Sequence, residues 1–174
     1  MFRKNVVAVI FNEKAEFLAC HRIDKKGWQF VQGGIEETDT DLILAARREI
    51  FEEIGLHETA LVHVAEIPPP QGDPTKLRYL SPKFVDKMFL DSGHIGQEQR
   101  LLLFYMHSST INTCRLIPPP ESGAKQEFCS VAWMGIADLI TRVPECKKHI
   151  FEHIRAVGSQ MVERFLSTQT SNSF

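Results

Sequence analysis

The sequence has no apolar run close to the roughly 18 residues that a membrane span needs, so no transmembrane segment is expected. It has no C-x-x-C pair. Cys20, Cys114, Cys129 and Cys146 stand far apart, which reads as reduced thiols in a cytoplasmic protein. It has no excess of positive charge: 20 Lys and Arg face 22 Asp and Glu, for a net charge of -2. With a pI near 6.4 there is no basic footprint for wrapping nucleic acid, and any phosphate recognition must be local. It has no internal repeat and no composition shift that would mark a second domain. The opening MFRKNVVAVIFNEK lacks a small-residue cleavage site and reads as a strand, not a signal peptide. What is present, 174 residues of which 43% are hydrophobic and 24% charged, is enough to bury one core. A single domain over 1–167 with a flexible tail over 168–174 is expected.

One stretch organises the rest: Gly33 to Leu56, GGIEETDTDLILAARREIFEEIGL. Within it Glu49, Glu52 and Glu53 stand at i, i+3 and i+4, which places three carboxylates on one helix face. Like charges that close destabilise a bare helix, so a cation should compensate them, either Arg48 or a divalent metal. Magnesium suits the latter because it takes oxygen ligands and is usually shared between a few carboxylates and substrate phosphates. Thr40 or Asp41 is the expected N-cap of a helix over Asp41 to Ile54, and Gly55 its stop. Leu44, Ala45, Ile50 and Ile54 are its expected inward face.

Around this stretch, Asn5 to Phe11 reads as a buried strand, Asn12 to Ala15 as a turn and Glu16 to Arg22 as the return strand. Trp28 to Val31 is a short strand feeding the double glycine. Ala60 to Ile67 is another, followed by a long connection from Pro68 to about Gly96, with partly ordered pieces at Leu77-Arg78-Tyr79 and Phe84-Val85. Arg100 to His107 reads as a central strand, Ser108 to Lys125 as loop and Glu127 to Trp133 as the last strand. A short helix starts at Gly135. From Pro144, Ile150, Ile154, Val157, Met161 and Phe165 recur at helical spacing. His149 and His153 sit at i, i+4 on that helix with no third ligand near, and read as surface histidines. This order of elements predicts an α/β/α layer sandwich with a mixed sheet.

The organising stretch resembles the Nudix box, G-x5-E-x7-R-E-U-x-E-E-x-G-U, where U is a bulky aliphatic residue. Taking Gly34 as the box glycine, Arg48, Glu49, Ile50, Glu52, Glu53, Gly55 and Leu56 fall on motif positions. The isolated glutamate would be residue 40, where Thr40 stands between Asp39 and Asp41. The resemblance extends to the branch of bacterial RNA pyrophosphohydrolases and plant-type diadenosine tetraphosphate hydrolases. It is carried by Phe2-Arg3-Lys4-Asn5-Val6, Trp28-Gln29-Phe30-Val31-Gln32-Gly33-Gly34-Ile35, Leu77-Arg78-Tyr79, Gly96-Gln97-Glu98-Gln99-Arg100 and Glu127-Phe128 with Trp133. Val31 replaces that branch's usual proline.

The resemblance implies a Nudix-type α/β/α fold and a hydrolase that acts on three or more phosphates attached to a nucleoside. Mg2+, for which Mn2+ can substitute, would be held by Glu49, Glu52, Glu53 and Glu127 with Gly33 alongside. Glu53 would be the general base, with Glu49 the runner-up, and Arg48 would brace Glu52. Arg3, Arg22, Gln32, Gly34, Tyr79, Gln97 and Gln99 would meet substrate. Lys25, Lys26, Arg78 and Lys83 would add a cationic rim. The RNA enzymes carry V-x-F-K near the start of the last helix, and here Cys146 stands in place of the aromatic. Base stacking is worth roughly 1–3 kcal/mol per base, so this ranks dinucleoside polyphosphates ahead of RNA 5′ ends, with Tyr79 or Phe84 as another base platform. A retired domain that only binds nucleotide, and a housekeeping enzyme for damaged triphosphates, are the other readings. The expected partner is a small nucleotide or the 5′ end of RNA, with no membrane, in a monomer or homodimer.

Overall fold

In the computed structural model, which describes residues 1–81 and 92–172, the sheet is built on β1 (Phe2–Phe11). Val6 to Phe11 is an uninterrupted apolar run because both faces of this strand are covered. β1 runs parallel to β7 (Gly96–Tyr105), in register from Phe2 with Gly96 to Phe11 with Tyr105. It also pairs antiparallel with β2 (Phe17–Arg22) and β4 (Val31–Gly34). β3 (Trp28–Gln29) and β8 (Phe128–Met134) flank β2, while β5 (Val62–Ile67) and β6 (Arg78–Leu80) pair with β7. The sheet is therefore mixed, as the sequence predicts. β7 begins at Gly96 instead of the predicted Arg100, because its polar first residues are ordered by pairing with β1 and β6.

Side chains alternate across β1 and β7. Val6, Ala8, Ile10, Leu102 and Phe104 pack with Ala45, Ala46, Ile50 and Ile54 of helix α1 (Leu42–Ile54). Val7, Val9, Phe11, Leu101 and Leu103 face the other way. They meet Leu139 of α2 (Ile136–Ile140), Ile150 and Phe151 of α3 (Lys148–His153), and Val162 of α4 (Ser159–Ser171). Helices thus cover both faces of the sheet. A π-helical turn, Ile154–Gly158, joins α3 to α4. A Cβ on Gly158 would lie 3.0 Å from Cδ1 of Ile67, so the glycine lets the turn press on β5.

Helix α1 starts and stops on local chemistry. The Asp41 carboxylate accepts the Leu44 N–H at 2.8 Å, and Gly55, at φ 68, donates to the Phe51 carbonyl. Leu44, expected to face inward, is 48% exposed. The buried stripe runs through 45, 46, 49, 50 and 54, so Leu44, Arg47 and Phe51 line the outer face and Ala46 takes the predicted inward place.

The last helix runs to Ser171, past residue 167 where the tail was expected to begin. Hydroxyls of Ser167, Thr168, Thr170 and Ser171 donate back to carbonyls one turn earlier, so these polar groups are satisfied within the helix. His149 and His153 are not idle. Their Nε2 atoms lie 2.8 Å from the Arg78 carbonyl and 2.7 Å from the Pro68 carbonyl, tying α3 to the start of β6 and to the connection that follows β5. The predicted pieces at Phe84-Val85, and Lys83 with them, lie outside the described residues. Among the described residues no helix is long and apolar enough to cross a membrane.

Candidate active site

The site grows where β4 passes under α1. Successive residues of β4 point to opposite faces, and both glycines are there because something lies on them. A Cβ on Gly33 would fall 1.8 Å from the Glu49 carboxyl carbon, so that carboxylate rests directly on the strand backbone. A Cβ on Gly34 would fall 2.1 Å from Nη2 of Arg3, so the Arg3 guanidinium covers the other face. Any side chain at either position would displace a charged group.

Arg48 ties the carboxylates to the loop. Its Nη1 donates to Glu49 at 2.7 Å, and its Nη2 donates to the Gly34 carbonyl at 3.1 Å and to Asp39 at 2.9 Å. Its Nε reaches the other Asp39 oxygen at 3.4 Å. Glu52, the partner expected from the sequence, is only a 3.8 Å neighbour with a half-exposed side chain. The physical reason is reach: Glu49 is held in the buried seam between α1 and β4, where the guanidinium already lies, while Glu52 projects toward solvent.

Glu53 is half-buried and its Oε2 accepts the Gln32 N–H at 3.4 Å. Burial, then the charges of Glu49 and Glu127, push its carboxyl well above the ordinary range. Burial pushes Glu49 up to about 7, against the pull of Arg48 and with a further push from Glu52. Glu127 is exposed at the foot of β8, near enough for its charge to act on Glu53.

Fully ionised, these carboxylates would carry more negative charge than Arg48 can neutralise, and a divalent cation fits that donor set. Among the described residues, no three acidic, His or Cys side chains converge into a ready-made metal cage. Glu49, Glu52, Glu53 and Glu127, predicted as metal ligands with Gly33 alongside, therefore do not form a closed cage by themselves. An ion there would take one or two carboxylates and fill its shell with water and phosphate oxygens, as magnesium commonly does.

Behind Gln32 lies a buried polar chain that the sequence only half revealed. The Gln32 Oε1 accepts from Gln99 at 2.9 Å and from the Lys147 ammonium at 3.0 Å. Lys147 also donates to Gln29 Oε1 at 3.0 Å and sits 5.0 Å from the centre of the Tyr79 ring. The Tyr79 hydroxyl donates to Gln97 at 2.6 Å. Lys147 is 4% exposed, and among the described residues it bonds amide oxygens and faces a ring, with no carboxylate paired to it. Burial, and next the charge of Arg22, push its ammonium down to about 8.

Sequence reasoning missed Lys147. The signal was the phase of the last helix: residue 147 lies three before Ile150 and seven before Ile154, on the face that turns inward.

Other expected residues are engaged elsewhere. Arg22 is paired with Asp24 at 2.5 Å. Arg78 is paired with Glu98 at 2.6 Å and lies over the Phe2 ring. Lys25 contacts the Cys129 thiol at 3.1 Å. Tyr79 is 8% exposed and forms part of the site wall, so it is not an open base platform. Phe84, the other platform considered, lies outside the described residues.

Known proteins resemble this chain in sequence and in fold. The family model for the NUDIX domain matches residues 1–154. The RNA pyrophosphohydrolase of Helicobacter pylori is 30% identical over 161 residues, covering 89% of this chain and 92% of that protein. That of Bartonella henselae is 29% identical over 162 residues, covering 88% and 87%. Among solved structures, a C. elegans Ap4A hydrolase binary complex aligns with a TM-score of 0.57 at 14% identity, over 95% of this chain and 98% of that one. An E. coli dihydroneopterin triphosphate pyrophosphohydrolase aligns at 0.58 and 14% identity, over 87% and 95%. At such identities the structural likeness speaks to fold alone.

Proposed function

Because this chain belongs to the Nudix family, and so to a group of pyrophosphohydrolases that act on nucleotides with divalent metal ions, we propose that it hydrolyses the phosphoanhydride chain at the 5′-triphosphate end of RNA. The observation that carries this is the near full-length similarity to RNA pyrophosphohydrolases. It reverses the order expected from the sequence, in which dinucleoside polyphosphates came first.

A bound Mg2+ or Mn2+ would neutralise phosphate charge and activate water for in-line attack. Glu49, Glu52 and Glu53 are the carboxylates we assign to it, with Glu127 across the rim. Glu53, half-buried and with a raised proton affinity, takes the proton of the attacking water. Arg48 holds Glu49 in place. Lys147 and Arg3 supply positive charge to the phosphates from the face of β4 that Gln32 and Gly34 share, with Gln32, Gln97 and Gln99 as neutral hydrogen-bonding partners. A cytoplasmic location goes with this reading.

The deciding measurement is magnesium-dependent product analysis on a short 5′-triphosphate RNA beside diadenosine tetraphosphate. Pyrophosphate release from RNA, lost by roughly 10²–10⁴-fold in Glu53→Gln with the fold intact, is expected. Dinucleotide reading has one observation in its favour, Cys146 in place of a base-stacking aromatic, and fast ATP and AMP formation with slow RNA turnover would replace our proposal by it. No turnover of either substrate with Mg2+ or Mn2+ would make this a domain that binds without hydrolysing.

A further inference from the structure

We propose that Asp39, one residue ahead of the place where the box glutamate would stand, is the positioning residue that sets Glu49 through Arg48. This rests on the hydrolase reading above. The side chain of Asp39 is 8% exposed, and both its oxygens are committed. Oδ1 accepts from Arg48 Nε at 3.4 Å, and Oδ2 accepts from Arg48 Nη2 at 2.9 Å and from the Glu36 N–H at 2.7 Å. One carboxylate thus grips the guanidinium edge-on and closes the turn from Glu36 to Asp39, whose Asp39 N–H returns to the Glu36 carbonyl at 3.0 Å.

With that edge held, the rest of the fork is aimed. Arg48 Nη1 meets Glu49 at 2.7 Å and Nη2 meets the Gly34 carbonyl at 3.1 Å. An arginine fork is planar and rigid, so fixing two of its nitrogens fixes the direction of the third. Thr40 is exposed and Asp41 is occupied in capping α1. Of the three residues from 39 to 41, only Asp39 reaches the guanidinium. Thr40 is thus no gap in the support of Arg48: the carboxylate one residue earlier holds the guanidinium, and the chain keeps a positioned Glu49.

Supporting hydrogen-bond partners of metal ligands typically contribute 10–100-fold to affinity or activity. The test titrates Mn2+ into the metal-free protein, reading free Mn2+ by electron paramagnetic resonance, for the unmodified protein, Asp39→Ala, Asp39→Asn, Thr40→Glu and the double variant Asp39→Ala/Thr40→Glu. Turnover of 5′-triphosphate RNA is measured in parallel and the fold is checked by thermal melting. Asp39→Ala and Asp39→Asn should each weaken Mn2+ by about 10–100-fold. Thr40→Glu alone should change it by less than about threefold, and the double variant should recover most of the loss.

A folded Asp39→Asn that binds Mn2+ as the unmodified protein does would overturn the proposal. So would a double variant that melts normally yet recovers nothing. A parent that binds Mn2+ but hydrolyses neither RNA nor dinucleotide would instead sink the hydrolase reading, with the Asp39 question still answered by the Mn2+ titration.

Discussion

Replacing Lys147 by Met should make the protein more stable at neutral pH and less active. Burial lowers this ammonium from 10.5 to about 8. At about 1.4 kcal/mol per pH unit, keeping it charged inside the fold costs roughly 3 kcal/mol. The sign follows from proton counting. Between about pH 8 and 10.5 the unfolded chain binds more protons at this residue than the folded one, so the cost is full below pH 8 and fades as pH rises toward 10.5. Against this, Met forfeits the bonds to Gln29 and Gln32, of which Gln32 keeps its donor from Gln99. One stranded amide oxygen costs about 1–3 kcal/mol. With about 2 kcal/mol for that oxygen, the balance is a gain of about 1 kcal/mol at pH 7 that vanishes near pH 9 and becomes a loss of about 1 kcal/mol at pH 10, read by urea unfolding at pH 7 and pH 10. In the same variant kcat/KM on 5′-triphosphate RNA should fall by about 10–100-fold, the scale of one charge-assisted phosphate contact of about 1.5–3 kcal/mol. A variant that loses stability at pH 7 and keeps its kcat/KM would show that the lysine is a structural donor, and the reasoning would fail.

Three further outcomes are expected. Because Glu49 is raised to about 7, the metal-free folded state binds more protons than the unfolded chain between about pH 4.5 and 7. Its stability should therefore fall as pH rises through that window. Mn2+ affinity should rise over the same range with release of protons, which calorimetry in two buffers of different ionisation enthalpy would measure. His149→Ala and His153→Ala each remove one hydrogen bond to a carbonyl and should cost about 0.5–1.5 kcal/mol in denaturant melts, with kcat/KM unchanged.

Helix α1 was legible because its signals are local: Asp41 caps it, Gly55 ends it, and the spacing of Glu49, Glu52 and Glu53 fixes their common face. The double glycine was legible as the point into which the strand from Trp28 runs. What lay on each glycine was not, since Arg3 and Glu49 arrive from β1 and α1. Asp39 was hidden for the same reason. Three candidates stood at 39, 40 and 41, and only the path of the turn decides which carboxylate meets Arg48. Lys147 was hidden by its charge: a lysine is rarely buried without a carboxylate, so helical phase was outweighed by residue type. Leu44 misled in the opposite sense, an apolar residue whose neighbours Ala45 and Ala46 are small enough to press closer to the sheet.

The parallel pairing of β1 with β7 has a consequence for biosynthesis. Phe2 and Gly96 are partners across 94 positions, so at roughly 5–20 residues per second β1 waits several seconds outside the ribosome before β7 exists. Its even-numbered side chains can be covered early, by α1. Val7, Val9 and Phe11 belong to a core that is completed only by helices that follow residue 135. During synthesis the most apolar strand of the sheet is an open edge, the kind of surface that recruits chaperones or stray strands. Variants that slow the closing of the last helix should therefore lose soluble yield in cells before they lose stability in the test tube.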